Sequence, residues 1–236
     1  SEIKKEINIV YGDIRDCELM KNLISGQDQV FHLASLIGIP YSYIAPESYI
    51  ETNIKGTLNI LQACKNQKNQ PLFMLMSTSE VYGSAQYLPI NEKHPLVGQS
   101  PYAASKIAAE KLTESFNLSF DIPTIIVRAF NTYGPRQTSR AVIPSLLSQF
   151  LNKKDEIRLG EINSKRDFNY VQDTVFSLIK IMSADAAIGK VINSGYGKDY
   201  SISDLLDILS EIFNYKPKIK VEKDRLRPIK SEVNHL

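Results

Sequence analysis

Cysteine is scarce: Cys17 and Cys64 are the only two in 236 residues. They form no CxxC pair, which argues against a metal site or a disulfide framework and makes a reducing cytosol, hence a cytoplasmic protein, the default. Neither charge sign is in excess, with 28 basic and 26 acidic residues and a net charge of +2. That balance, spread along the chain, excludes the strongly basic groove of a nucleic-acid binder and a surface drawn to anionic membranes. No apolar run approaches the roughly 20 residues that span a bilayer, and the opening SEIKKEINIVYGD is not a signal peptide. Internal repeats and low-complexity tracts are missing as well. So is any GxGxxG or GxxGxxG, the turn that holds a pyrophosphate in many dinucleotide-binding folds.

What remains is an ordinary globular composition, 43% hydrophobic and 23% charged, long enough for one sizeable core and a smaller second lobe. Short apolar runs alternate with longer amphipathic ones. This predicts an α/β, doubly wound, mostly parallel, Rossmann-like sheet. EINIVYGDI, QVFHLAS, PLFMLMSTS and PTIIVRAFNTYG read as its strands. Ile50, Ile54, Leu58 and Leu61 recur at helical spacing in APESYIETNIKGTLNILQACKNQ, and SPYAASKIAAEKLTESFNLSF is a second, alanine-rich helix. AVIPSLLSQFLNKK follows as a shorter helix with Pro144 near its start. From about residue 140 the rhythm changes to short strands mixed with helices. The expected division is therefore 1–140 for the dinucleotide-binding part and 141–236 for a smaller α/β lobe, interleaved with the first. The first strand leads to GDIRD rather than to a glycine-rich turn, and RLRPIKSEVNHL ends abruptly, so the reading is of a chain shortened at both termini and lacking the first βα unit.

Tyr102 and Lys106 in YAASK fall at i and i+4 on one helical face. A phenol with a pKa near 10 is a poor base at neutral pH unless a cation favours its phenolate, and Lys106 can supply that cation. Alone, the pair describes a surface tyrosine and lysine equally well. The strand before it, however, ends on STSE, so Thr78, Ser79 and Glu80 leave the sheet where a plain turn would use Gly, Asn or Pro. For Ser79 and Glu80 the plainer alternative is a helix N-cap followed by a solvated carboxylate.

STSEVYG, SPYAASK, FNTYGPRQ and RDFNYVQD, in this order, resemble the extended short-chain dehydrogenase/reductase family, in particular its NAD-dependent nucleotide-sugar 4,6-dehydratases. The resemblance covers nearly the whole chain. It implies that Thr78 hydrogen-bonds the sugar hydroxyl being oxidised, that Tyr102 is the base with Lys106 beside it, and that Ser79 and Glu80 serve the elimination. One branch of the family carries Asp where Ser79 stands, and a serine can act only as a relay or through water. By the same resemblance Asp13 and Ile14 reach the adenine, while Leu33, Ala34 and Ser35 lie along the dinucleotide. Asn53 sits at a helix kink beneath the site, and Ala129 replaces a usual proline beside the nicotinamide. LIGIPYSY resembles a loop over the sugar, and Asn131, Arg166 and Arg227 would hold substrate phosphates. Bland alternatives remain for His32 as a core histidine, for Asn53 bonding its own backbone, and for both arginines as surface charges.

The function implied is C4 oxidation, loss of water across C5–C6 and hydride return, most similar to enzymes acting on UDP-N-acetylglucosamine, with NAD as cofactor. A UDP-glucuronate decarboxylase or a C4 epimerase would share most of these residues, and a non-catalytic or truncated nucleotide-binding chain is the alternative of another class. The resemblance also implies a homodimer through a four-helix bundle, with no nucleic-acid or membrane partner.

Overall fold

A computed structural model describes residues 7–153, 155–222, 228–231 and 233–235. After α1 (Cys17–Ile24), capped by the Asp16 carboxylate on the Glu18 and Leu19 amides, come β1 (Gln29–His32), α2 (Ile39–Ile44) and α3 (Pro46–Tyr49). A π-helical turn (Ile50–Lys55) runs straight into α4 (Gly56–Lys65). Then follow β2 (Leu72–Thr78), a 3₁₀ turn (Ser79–Tyr82), α5 (Pro101–Phe120), β3 (Thr124–Ala129), β4 (Asn131–Tyr133) and α6 (Val142–Leu151). The chain continues through β5 (Glu156–Leu159), β6 (Lys165–Tyr170), α7 (Val171–Met182), β7 (Val191–Ser194), β8 (Asp199–Ser201), α8 (Ile202–Phe213) and β9 (Lys218–Val221).

The main sheet is parallel, in the order β1-β2-β3-β7. Its faces explain the near-continuous hydrophobicity of β2 and β3. Phe73, Leu75 and Ile126 pack against α1, α4 and α5 on one side, while Met74, Ile125 and Val127 meet Leu178 and Met182 of α7 on the other. This is the doubly wound arrangement the alternating pattern implied. A smaller parallel pair, β5 with β9, shares a separate core with α6 and α8, and β4-β6-β8 forms a third sheet with one antiparallel pairing.

Two expectations need correction. Residues 7–13, read as part of the first strand, form none: among the described residues β1 is the sheet edge and pairs only with β2. Ile7, Ile9, Val10 and Tyr11 consequently stay exposed, Tyr11 at 93%, because a strand needs a neighbour to satisfy its backbone. The predicted helical stripe Ile50–Ile54–Leu58–Leu61 breaks at its start: Leu61 is buried and Leu58 packs on the core, but Ile50 does not. The π turn inserts extra backbone and rotates the phase, leaving Ile50 53% exposed while Tyr49, Asn53, Thr57, Ile60, Leu61 and Cys64 turn inward. Accordingly Ile50→Ala should cost less than about 0.5 kcal/mol and Leu61→Ala about 2–5 kcal/mol in urea unfolding; equal costs would contradict the rotated phase.

Candidate active site

The carboxyl ends of β1, β2 and β3 lie side by side, with Thr78 in register with Ala129. α5 crosses them. It starts cleanly, with Ser100 capping the Ala103 amide and Pro101 in the first turn. Tyr102 and Lys106 are both buried on its inner face. The Lys106 ammonium donates to the Met76 carbonyl at 2.6 Å, two residues before Thr78.

Thr78, not Ser79, is the cap of the 3₁₀ turn, its hydroxyl accepting the Glu80 amide at 3.2 Å. Ser79 and Glu80 are buried instead of solvated, so neither bland alternative for them holds. The Ser79 hydroxyl is fully enclosed with no hydrogen-bond partner among the described residues, an arrangement that ordinarily calls for an explanation. Val81 and Tyr82 pack beneath the turn against Val233 of the C-terminal segment. That segment is fastened by the Ser231 hydroxyl, which donates to the Gln99 carbonyl, and by the Tyr43 hydroxyl 2.5 Å from Ser231 Oγ.

The electrostatics differ from the simple expectation for a tyrosine beside a lysine. Burial pushes the Tyr102 phenol well above its ordinary range; the Thr78 hydroxyl opposes this, and Glu80 and Tyr49 add to it. Lys106 is not among the groups acting on the phenol. Burial depresses Lys106 itself to about 8, with the Glu110 carboxylate pulling the other way. Beneath it, His32 is held down at about 3 by burial and then by the Lys106 charge. Thr57 gives its proton to the Asn53 carbonyl, so the His32 Nε2–H is the donor in the 2.9 Å contact with Thr57 Oγ1: His32 is a satisfied core histidine.

Asn53, in the π turn, does not bond its own backbone through its side chain. Its Oδ1 accepts from the Leu36 amide and the Ser35 hydroxyl, and its Nδ2 donates to the Leu36 carbonyl and to Ser105 Oγ, which in turn donates to the Tyr102 carbonyl. It thereby ties the exit of β1 to α5. Leu33 and Ala34 are exposed at that exit, and α2 with Tyr49 closes over Tyr102, their rings 6.2 Å apart edge to face.

The remaining predicted residues have other surroundings. Asp13 pairs with its neighbour Arg15 at 2.6 Å, whose hydrogen bond lowers the exposed carboxyl to about 2, while Ile14 packs tightly on Gly56. Asn131 in β4 and Arg166 in β6 sit on adjacent strands, Asn131 in register with Phe168. Arg166 is buried, so it is not a surface charge, and its Nη1 donates to the Lys165 carbonyl. Arg227 lies outside the described residues. Sequence reasoning missed Ser77, Tyr82, Glu110, Arg128 and Tyr49; only Glu110 left a signal, one turn beyond Lys106. Among the described residues no helix is long and apolar enough to cross a membrane, and no cluster of acidic, His or Cys side chains suits a metal.

This is a doubly wound fold with a polar strand end facing a tyrosine–lysine helix. The family model described as GDP-mannose 4,6 dehydratase matches residues 1–233. The chain belongs to that family, a group of nucleotide-sugar dehydratases and epimerases of the extended short-chain dehydrogenase/reductase type. It is 36% identical over 227 residues to the dTDP-D-glucose 4,6-dehydratase of Dictyostelium discoideum, covering 90% of this chain and 51% of that protein. The chain thus spans about half the length of this relative. Among solved structures it resembles TunA, described as an NAD-dependent NDP-hexosamine 5,6-dehydratase of tunicamycin biosynthesis. There the TM-score is 0.84 at 30% identity, covering 95% of this chain and 71% of TunA. It also resembles the UDP-glucuronic acid 4-epimerase of Bacillus cereus, solved with UDP-glucuronic acid and NAD. That match has a TM-score of 0.87 at 28% identity, covering 98% of this chain and 74% of the epimerase.

Lys106 gives a pH test of this geometry. Its proton leaves the folded chain near pH 8 but the unfolded chain near 10.5, so between those values the unfolded state binds more protons and the site's contribution to stability rises with pH. Relative to Lys106→Met, the wild type should gain up to about 3 kcal/mol across this window in urea titrations. A pH-independent difference would place the ammonium in water.

Proposed function

We propose that the chain carries the catalytic core of an NAD-dependent nucleotide-sugar 4,6-dehydratase, acting on UDP-N-acetylglucosamine. The observation that carries this reading is the buried carboxylate of Glu80, one residue from an orphaned Ser79 hydroxyl and close enough to Tyr102 to perturb its phenol. A C4 epimerase has no use for such a carboxylate. The likeness to an NDP-hexosamine dehydratase supports the choice of an amino sugar.

The residues fit the nicotinamide-ribose end of the cofactor. Lys106 is an ammonium with three donors at the carboxyl ends of parallel strands, with one donor engaged by Met76. Leu33 and Ala34 are exposed just after the end of β1. The 236 residues include no glycine-rich turn for the pyrophosphate. Bound NAD would supply the hydride acceptor for C4 and the hydride donor for C6.

Thr78 would orient the C4 hydroxyl while Tyr102 takes its proton; the contact between them is the one that favours the phenolate. The resulting ketone makes the C5 hydrogen acidic, because the carbanion left behind is an enolate. Glu80 would remove that proton, and the Ser79 hydroxyl would relay a proton to the C6 oxygen as it leaves as water. Asn131 and Arg166 would hold the substrate phosphates, a guanidinium being suited to phosphate oxygens. The proposal includes a homodimer formed through α4 and α5, working in the cytoplasm.

Incubation with NAD and UDP-N-acetylglucosamine, read by mass spectrometry, should give a product one water lighter with no net NADH. Tyr102→Phe should slow it by about 10²–10⁴-fold. Glu80→Gln should stall after oxidation, so that NADH absorbance accumulates. A product of unchanged mass with C4 inverted would replace this reading with epimerisation.

A further inference from the structure

Glu110 and Arg128 belong to none of the chemistry above, yet they are the most deeply buried charges near it, with side chains 0% and 3% exposed. Arg128, from β3, grips the Glu110 carboxylate of α5 with Nε at 3.0 and 3.2 Å and Nη2 at 2.6 Å. The other contacts of the pair are specific. Glu110 Oε1 also accepts the Ser77 hydroxyl at 2.5 Å. Arg128 Nη1 donates to the Tyr82 hydroxyl at 3.0 Å and to the Glu92 carbonyl at 3.2 Å, with the guanidinium 4.8 Å from the Tyr82 ring centre. Tyr82 passes its own proton to Asn193 at 2.7 Å. Ser77 and Tyr82 are the residues that immediately bracket Thr78–Glu80 and Val81. One ion pair therefore holds both ends of the segment on which the proposed chemistry sits.

It is anchored to the right body. Tyr102, Lys106 and Glu110 are spaced by four along α5, and Lys106 and Glu110 bond the consecutive β2 residues Met76 and Ser77. Removing two charges from water costs several kcal/mol per ion, and apolar replacements of similar volume are often as stable or more so. Stability alone is thus a poor reason for this pair, whereas two-ended, directional bonding fixes one arrangement of the turn.

We propose that Glu110 and Arg128 are positioning residues, an ion-paired clamp that holds the Thr78–Ser79–Glu80 turn in register with Tyr102 and Lys106. The catalytic meaning of that register rests on the function proposed above; the clamp itself does not.

Glu110→Gln tests it by two readouts that need neither cofactor nor turnover. Hydrogen exchange followed by mass spectrometry should speed up about tenfold or more in peptides covering residues 77–82, the signature of local opening. Peptides from the separate core around Phe150 and Ile157 should be unchanged. Lysine ¹³Cε NMR should move the Lys106 midpoint to below its wild-type value near 8. The charged or titratable groups coupled to the ammonium are Glu110 on its own helix and His32 from β1, and His32 is already neutral at that pH. Should Glu110→Gln not fold, the charge-free pair Glu110→Leu with Arg128→Met is read the same way. Exchange that stays at the wild-type rate in 77–82, or rises equally throughout the chain, overturns the clamp. If the clamp passes while no water is lost from any nucleotide sugar, only the proposed function falls. Where turnover is present, kcat should fall at unchanged KM.

Discussion

The seating of α5 on the end of β2 is the constraint on which the site depends. A 20-residue helix reaches across the sheet and inserts two charged side chains, Lys106 and Glu110, into positions with almost no access to water. Such burial is tolerable only where each charge finds partners. Met76 and Ser77 on β2 and Arg128 on β3 provide them. Helix, strands and the polar turn after β2 are therefore a single body, and Tyr102, one turn before Lys106, has no freedom to choose another place.

The surrounding parts serve that body. Apolar side chains on both faces of β2 and β3 fix the sheet between two helical layers, which leaves the strand ends as the place where backbone direction changes and polar groups can converge. Asn53 then uses the π turn to reach sideways, bonding the exit of β1 and Ser105 together. A regular helix would have turned it elsewhere. The same turn sends Ile50 outward, so one local deviation sets both a polar contact and an apolar loss.

Much of this was legible in the sequence because it follows from local rules. β2, α5 and β3 announce themselves through unbroken hydrophobicity, a Ser-Pro start and alanine-rich spacing; Thr78 and Glu80 lie against Tyr102, and Lys106 bonds the same strand end. What was illegible depends on partners distant in the chain. Nothing local distinguishes Arg128 from a strand-end surface charge, or shows that residues 7–13 pair with no strand among the described residues. Nor does composition reveal that burial, and not Lys106, dominates the Tyr102 phenol. The π turn is hidden for another reason: its sequence, IETNIK, is as compatible with an ordinary helix.

The central claim is that one turn and one helix carry an oxidation at C4 and an elimination that ends at C6. The most direct measurement uses UDP-N-acetylglucosamine carrying deuterium at C4, incubated with the chain and NAD, with the product read by NMR. The account predicts a 4-keto product with the deuterium transferred to the C6 methyl group. Deuterium remaining at C4 of a sugar that has lost no water would contradict it.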